Sequence, residues 1–249
     1  MGNQNKTGWW PALPAAPLDW ELTSILLGRP LAALILYPVR NTANPNLITI
    51  LSLIFSLVGT AGLAFNFNLW FSLALLFVAM VLDDGDGLLA RYQEKSSFFG
   101  SMLDKMADVI RFGLLFPLLG YFAYKQAVGD HAFIYIIMGS TISLSLLVQG
   151  YTKWVYLEHK SRTDKKEQNS KQVESRGTGK QNIFYGIMTA IFWPFHECDL
   201  TIWIIVMSAF SLYKLLIIIL FASQTIIALI SIIARLFSLY KLDSSNQFL

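Results

Sequence analysis

From residue 83 the sequence runs Asp83-Asp84-Gly85-Asp86-Gly87-Leu88-Leu89-Ala90-Arg91, with Gly100, Asp104 and Asp108 following. Six of the chain's sixteen carboxylates lie between Asp83 and Asp108. Asp83 and Asp86 are three residues apart and share a helix face. Asp104 and Asp108 are four apart and share another. If a short loop joins the two helices, they pack antiparallel and four carboxylates converge on one cleft. Their formal charge matches that of two divalent cations. With no His or Cys in the segment, the donors are hard oxygens, which suit Mg²⁺, Mn²⁺ or Ca²⁺ better than Zn²⁺. A pair of such ions can clamp a phosphoryl group for in-line displacement.

The neighbouring residues fit the same chemistry. Gly87 and Ala90 leave space beside the acids where a larger side chain would block a ligand. Gly100, one turn before Asp104, permits close helix approach, and Arg91 offers a planar cation to a phosphate oxygen. Acids that merely solvated a helix end would not need this helical phasing.

The rest of the chain says where the cluster sits. Of its 249 residues, 55% are hydrophobic and only 14% charged, against about 25% charged in an average soluble domain. Mean hydropathy is +0.51. This composition disfavours a soluble enzyme, a disordered chain or a nucleic-acid-binding module. It predicts an all-α, polytopic integral membrane protein. Six spans of about 20 residues account for roughly half the chain. The single cysteine, Cys198, excludes an internal disulfide. Residues 1–7 are polar, and no cleavable signal pattern follows them.

Residues 1–17 are expected to form an irregular arm, with Trp9 and Trp10 at the headgroups. Residues 18–43 are expected to hold an interfacial amphipathic helix, since Arg29-Pro30 and Pro38 interrupt the apolar run. The domain proper is expected over 44–240, with spans near 47–66, 69–88, 99–124, 131–156, 194–213 and 215–237. A hydrophilic loop is expected at 158–182 and a tail at 241–249. One longer helix over 183–207, kinked at Pro194, is the alternative start for the fifth span. Eight basic residues lie between Lys153 and Lys180. With Arg29, Arg40, Arg91, Lys95, Arg235 and Lys241 they place the 89–98 and 158–182 loops and both termini in the cytoplasm. The 160–180 loop reads as a topology determinant and anionic-lipid contact, not a nucleic-acid site.

Asp83-x2-Asp86-Gly87-x2-Ala90-Arg91-x8-Gly100-x3-Asp104-x3-Asp108 resembles the full signature of the CDP-alcohol phosphotransferase family: eight fixed residues across 26 positions. Asn44-Pro45-Asn46-Leu47-Ile48-Thr49 also resembles the entry to that family's first span. The resemblance implies a metal-dependent enzyme that transfers a phosphatidyl or phosphoalcohol group from a CDP-linked donor, such as CDP-diacylglycerol, to a polar alcohol, releasing CMP. It implies two divalent cations, Mg²⁺ or Mn²⁺, on Asp83, Asp86, Asp104 and Asp108, with Asp108 also the general base. It implies that Asn46, Thr49, Gly87, Ala90, Arg91 and Gly100 line the donor site, and that the enzyme is a homodimer. Lys105 and Arg111 are the nearest cations that could meet an acceptor phosphate, or equally bind lipid headgroups. Asp84 lies outside the pattern and is expected to face the headgroups or to stand behind the metal ligands.

The competing class is a transporter whose intramembrane acids bind passing ions. It would need no Gly87/Ala90/Arg91 pocket and would release no CMP. Two weaker motifs add little. His196-Glu197-Cys198-Asp199 reads first as a helix start, then as packing near the cleft. Gly177-Thr178-Gly179-Lys180 lacks the spacing of a phosphate loop.

Overall fold

The computed structural model describes Trp9, residues 23–127, Gly129, and residues 131–168 and 197–246. Among these, every regular element is helical. A π-helical turn at Ser24–Gly28 leads into α1 (Arg29–Leu36), which ends in a 3₁₀ turn at Tyr37–Val39. Then come α2 (Pro45–Ala64), α3 (Leu69–Tyr92), α4 (Phe98–Gln126), α5 (Ile134–Gln168), α6 (Glu197–Ala209) and α7 (Tyr213–Asn246). Both prolines of the first segment are accommodated locally. Pro30 follows directly on the π-helical turn, in which the Arg29 N–H bonds Ser24 O, and Pro38 lies in the 3₁₀ turn.

The connections that set the site are short and capped. The Asn44 side chain accepts from the Asn46 N–H at 3.0 Å, and Asn68 caps α3 by accepting from Phe71 N–H at 3.1 Å. α3 closes on Glu94, whose φ of 55° is left-handed. The Lys95 N–H reaches back to Ala90 O at 2.9 Å and the Glu94 N–H to Arg91 O at 3.3 Å. That pair of bonds satisfies the last carbonyls and reverses the chain. Ser97 Oγ then accepts from the Gly100 N–H at 3.0 Å and starts α4. The α3–α4 turn therefore holds the acids of one helix beside those of the next.

Helix crossings rely on small residues, as expected where apolar burial alone does not drive association. A Cβ at Gly139 would lie 2.4 Å from Phe116 O, and one at Gly120 would lie 2.5 Å from Tyr135 O, so α4 and α5 touch backbone to backbone. The core unites α3, α4, α5, α6 and α7 through Leu76, Phe116, Leu119, Ile142, Ile204 and Ile217. A smaller cluster of Leu36, Ile48 and Leu89 joins α1, α2 and α3, with Trp9 packed on it. Large apolar side chains cover the outside, among them Trp70, Leu144 and Ile233.

Four helices are long and apolar enough to cross a membrane: Pro45–Ala64, Phe98–Gln126, Ile134–Tyr156 and Tyr213–Tyr240. The other two expected spans fall short of that standard for different reasons. In α3 the apolar run stops at Leu82 and three acids follow. In α6 the described helix has 13 residues, and residues 183–196, including the alternative kinked helix, lie outside the described ones.

Two expected boundaries move. α5 continues through Gln168, into the stretch expected to be loop from 158. Its Lys, Glu, Gln and Arg residues are good helix formers and simply propagate a helix already nucleated. Residues 169–182 lie outside the described ones. α7 likewise runs to Asn246, through most of the expected tail.

Candidate active site

Three helices supply the site. α3 brings Asp83 and Asp86 in its last turns, α4 brings Asp104 and Asp108 in its first turns, and α2 brings Asn46, Thr49 and Ser52. Asp83, Asp104 and Asp108 each present a carboxylate oxygen within 4.8 Å of the others. Asp86, one turn along from Asp83, is buried and turned toward α2, where the Thr49 hydroxyl donates to its Oδ2. Three of the four acids thus form one tight group, and the fourth is held beside it by Thr49.

Two cations offset part of this charge. Arg111 is buried, and its guanidinium donates at 2.8 Å both to Asp83 Oδ1 and to Ser52 Oγ. Its other terminal nitrogen lies 3.8 Å from Asp108 Oδ1. Ser52 in turn donates to Ala79 O at 2.8 Å, so one hydroxyl fixes the α2–α3 spacing and receives the arginine. Lys105 Nζ sits 3.1 Å from Asp108 Oδ2 and 3.3 Å from Asp104 Oδ2 on a half-exposed side chain. Both cations were expected near an acceptor phosphate. Here each is engaged with the acids themselves, and of the two only Lys105 also reaches solvent.

The small signature residues sit where space is needed. A Cβ at Gly87 would come within 3.3 Å of an Arg91 terminal nitrogen, so Arg91 folds back over Gly87. A Cβ at Gly100 would lie 2.9 Å from Asn46 Oδ1 and 3.2 Å from Ser97 Oγ, which puts the starts of α2 and α4 in contact. Ala90 is half-buried one turn beyond Asp86.

The donor set fits hard divalent cations. It is all carboxylate oxygen, comes from two helices, and lies at a helix mouth beside hydroxyls that can orient it. No His or Cys stands in it.

Several contacts were not anticipated from the sequence. Ser52 could have been found, since it lies three residues after Thr49 on the same face. The partners of Asp84 could not. Asp84 turns away from the cluster, as one of its two expected placements has it, but toward the N-terminal segment, where Ser24 Oγ donates to its Oδ1 at 2.6 Å and Arg29 Nε lies at 3.8 Å. Asp199, in the first turn of α6, accepts the Thr23 N–H at 2.9 Å. That part of the His196–Asp199 cluster anchors the N-terminal segment; His196 and the side chains of Glu197 and Cys198 lie outside the described ones. Trp9, expected at the headgroups, donates its indole N–H to Ala33 O at 2.9 Å and meets Tyr92 edge to face at 5.1 Å.

Taken together, the described residues make a helical protein with four helices long and apolar enough to cross a membrane and an all-carboxylate cluster, able to hold a metal, at the α3–α4 mouth. Comparison with known families agrees: the model of the CDP-alcohol phosphatidyltransferase family matches residues 42–233. The chain belongs to that family. Among curated proteins it is similar to a CDP-diacylglycerol–glycerol-3-phosphate 3-phosphatidyltransferase of Cereibacter sphaeroides, with 40% identity over 72 residues. That match covers 27% of this chain and 32% of the relative, so it spans about a third of the relative's length.

Proposed function

We propose that this protein is an integral membrane phosphatidyltransferase of phospholipid synthesis. Its donor is a CDP-linked lipid, of which CDP-diacylglycerol is the best candidate, and its acceptor is the hydroxyl of a polar alcohol. The observation that carries the reading is the convergence of Asp83, Asp104 and Asp108, with Asp86 alongside, at one helix mouth. Family membership supports the donor class, and the named activity of the C. sphaeroides relative supports a phosphatidyl group. The same membership weighs against the transporter alternative.

In this reading Asp83, Asp86, Asp104 and Asp108 hold two divalent cations, Mg²⁺ or Mn²⁺. When bound, these ions neutralise the donor diphosphate and polarise its phosphorus–oxygen bonds. Asn46, Thr49, Gly87, Ala90, Arg91 and Gly100 line the donor pocket, Gly87 by its small size, Gly100 by letting the starts of α2 and α4 meet, and Arg91 by its charge. Asp108 takes the proton of the acceptor hydroxyl. The freed oxygen attacks the phosphatidyl phosphorus, the bond to CMP breaks, and CMP leaves with the electron pair. Lys105, which reaches both solvent and Asp108, orients an anionic acceptor. Arg111 holds the Asp83 carboxylate in place, and it faces Asp108 from the protein side.

We further propose that α3 and α6 cross the membrane with the four longer helices, giving six spans. The segment at Ser24–Val39 then lies at the interface, and the site and both termini face the cytoplasm. The Lys/Arg distribution supports this orientation.

The test is direct. Purified protein is incubated with CDP-diacylglycerol, Mg²⁺ or Mn²⁺ and a panel of labelled polar alcohols, and CMP and lipid product are followed. Metal-dependent CMP release with at least one acceptor is expected, abolished by chelator and restored by added metal. Full activity in excess chelator would sink the two-metal reading. Absence of CMP release with every donor and acceptor tried would sink the transferase reading.

A further inference from the structure

Asp84 stands between two residues proposed to hold metal, yet it faces the other way. Successive residues on a helix point about 100° apart. Asp83 can therefore serve the cleft only while Asp84 looks to the flank of α3. On that flank lies the Ser24–Val39 segment. Its hold on Asp84 has three parts: the Ser24 hydroxyl at 2.6 Å, the Arg29 guanidinium at 3.8 Å, and the bare backbone of Gly28. A Cβ at Gly28 would lie 1.7 Å from Asp84 Oδ2, so no other residue fits there while Asp84 keeps its place. The fit is reciprocal. A Cβ at Gly85 would lie 2.6 Å from Leu36 Cδ1 and 3.3 Å from Ala32 Cβ, so α1 also presses into α3 at Gly85. The segment is pinned at its start by Asp199, which accepts the Thr23 N–H.

The end of α3 needs such a brace. Gly85 and Gly87 flank Asp86, and each glycine inside a helix costs about 1 kcal/mol relative to alanine. Three acids crowd the same two turns and repel one another. The run Asp83-Asp84-Gly85-Asp86-Gly87 is made of poor helix formers, yet the proposed metal ligands depend on its helical phase.

We propose that Asp84 is a positioning residue: by clasping Ser24, Gly28 and Arg29 it straps the N-terminal segment across the back of α3 and fixes the rotation that points Asp83 and Asp86 into the cation site. The inference rests on the reading of those acids as metal ligands. The strap's outer face, with Leu26, Leu34 and Ile35 exposed, takes no part in the clasp.

The experiment is Mn²⁺ binding by electron paramagnetic resonance on the purified full chain, with hydrogen exchange over residues 23–36 as a second readout. Residues that orient metal ligands typically account for about 10–100-fold in metal affinity. Asp84→Ala should weaken Mn²⁺ binding by roughly that factor and speed exchange over 23–36. Gly28→Ala leaves every polar group in place but displaces the Asp84 carboxylate, and it should do the same. Asp84→Asn keeps the shape and the Ser24 hydrogen bond and should recover much of the affinity. Asp83→Asn should weaken Mn²⁺ binding without speeding exchange over 23–36, and Leu34→Ala should change Mn²⁺ binding not at all. Should Asp84→Ala fail to fold, Ser24→Ala, which removes one hydroxyl, carries the same expectation with a smaller shift. Unshifted Mn²⁺ affinity in the folded Asp84 or Ser24 variant and in Gly28→Ala overturns the inference while leaving the metal reading intact. Loss in Asp84→Asn as complete as in Asp83→Asn, with normal Gly28→Ala, makes Asp84 a ligand and also overturns it. A wild-type protein that binds no Mn²⁺ overturns both.

Discussion

Asp108 and Asp83 are separable by experiment because the structure gives them different neighbours. Asp108 Oδ2 faces Lys105 at 3.1 Å toward the half-exposed side of the cleft, where an acceptor hydroxyl would arrive. Asp83 Oδ1 faces the buried Arg111 at 2.8 Å. Asp108→Asn keeps the size of the side chain but removes the proton acceptor. General-base catalysis is typically worth about 10²–10⁴ in rate, or roughly 2.7–5.4 kcal/mol of barrier. The four acids and two cations of the site leave a net formal charge of −2, which the substitution halves, so cation affinity falls as well. The two effects separate on titration with metal. At saturating Mn²⁺, Asp108→Asn should still lose about 10²–10⁴ in kcat while its KM for CDP-diacylglycerol moves little. Asp83→Asn should lose donor and metal binding together, and added Mn²⁺ should restore much of its kcat. The assay is CMP release across a matrix of donor and metal concentrations for both variants. If saturating metal returns Asp108→Asn to within about tenfold of the wild-type rate, Asp108 is a ligand and another group is the base.

Arg111→Met should lower stability by about 3–5 kcal/mol, the usual cost of removing one partner from a buried ion pair, seen as a lower melting temperature in chelator that Mn²⁺ partly restores. An unchanged melting temperature in chelator would show that Asp83 does not need the guanidinium. Gly139→Val places a side chain against the Phe116 carbonyl, which a Cβ alone would approach to 2.4 Å. Since backbone cannot swing aside, a loss of about 1–3 kcal/mol or more is expected, measured by thermal or denaturant unfolding in detergent. For topology, in a Cys198→Ser background, Ser170→Cys should be labelled by an impermeant thiol reagent only from the cytoplasmic side, and Ala127→Cys only from the opposite side. Reversed labelling would invert the proposed orientation.

What could be read in the sequence was set by how locally each feature is determined. The convergence of Asp83, Asp104 and Asp108 was legible because a helix converts their spacing directly into shared faces, and the α3–α4 turn is short enough to bring the faces together; Asp86, expected with them, is held to one side by Thr49. Thr49 and Gly100 were legible through the resemblance, and the structure brings each to a contact within the same cleft. Arg111 was legible as a nearby cation but not as the buried partner of Asp83 and Ser52, since that depends on how α2, α3 and α4 pack. The partners of Asp84 were opaque for a related reason. Ser24, Gly28 and Arg29 lie some sixty residues earlier on another helix, and no periodicity links them. The long α5 was missed because a polar stretch unable to fold alone was read as loop, whereas a helix already running through an apolar span costs little to extend.

The departure of α3 from a clean spanning helix is itself informative about where the chemistry happens. Its apolar run, Leu69–Leu82, is about 21 Å long at 1.5 Å per residue, short of a hydrocarbon core of about 30 Å. The ten residues that follow carry Asp83, Asp84, Asp86 and Arg91 and stay helical to Tyr92. α4 has 29 residues, more than a span needs, and its acids fall in its first three turns. If the apolar parts of the two helices share the membrane, the excess of α4 and the polar end of α3 project on the same side and meet at the rim of the hydrocarbon. An ionised carboxylate at that depth avoids most of the desolvation cost it would meet at the centre. A donor anchored by acyl chains can bring its diphosphate to that rim, and a water-soluble alcohol can reach it from the aqueous side. In the proposed function, the residues that spoil α3 as a membrane span are thus the ones that would set the reaction where lipid and soluble substrates can both arrive.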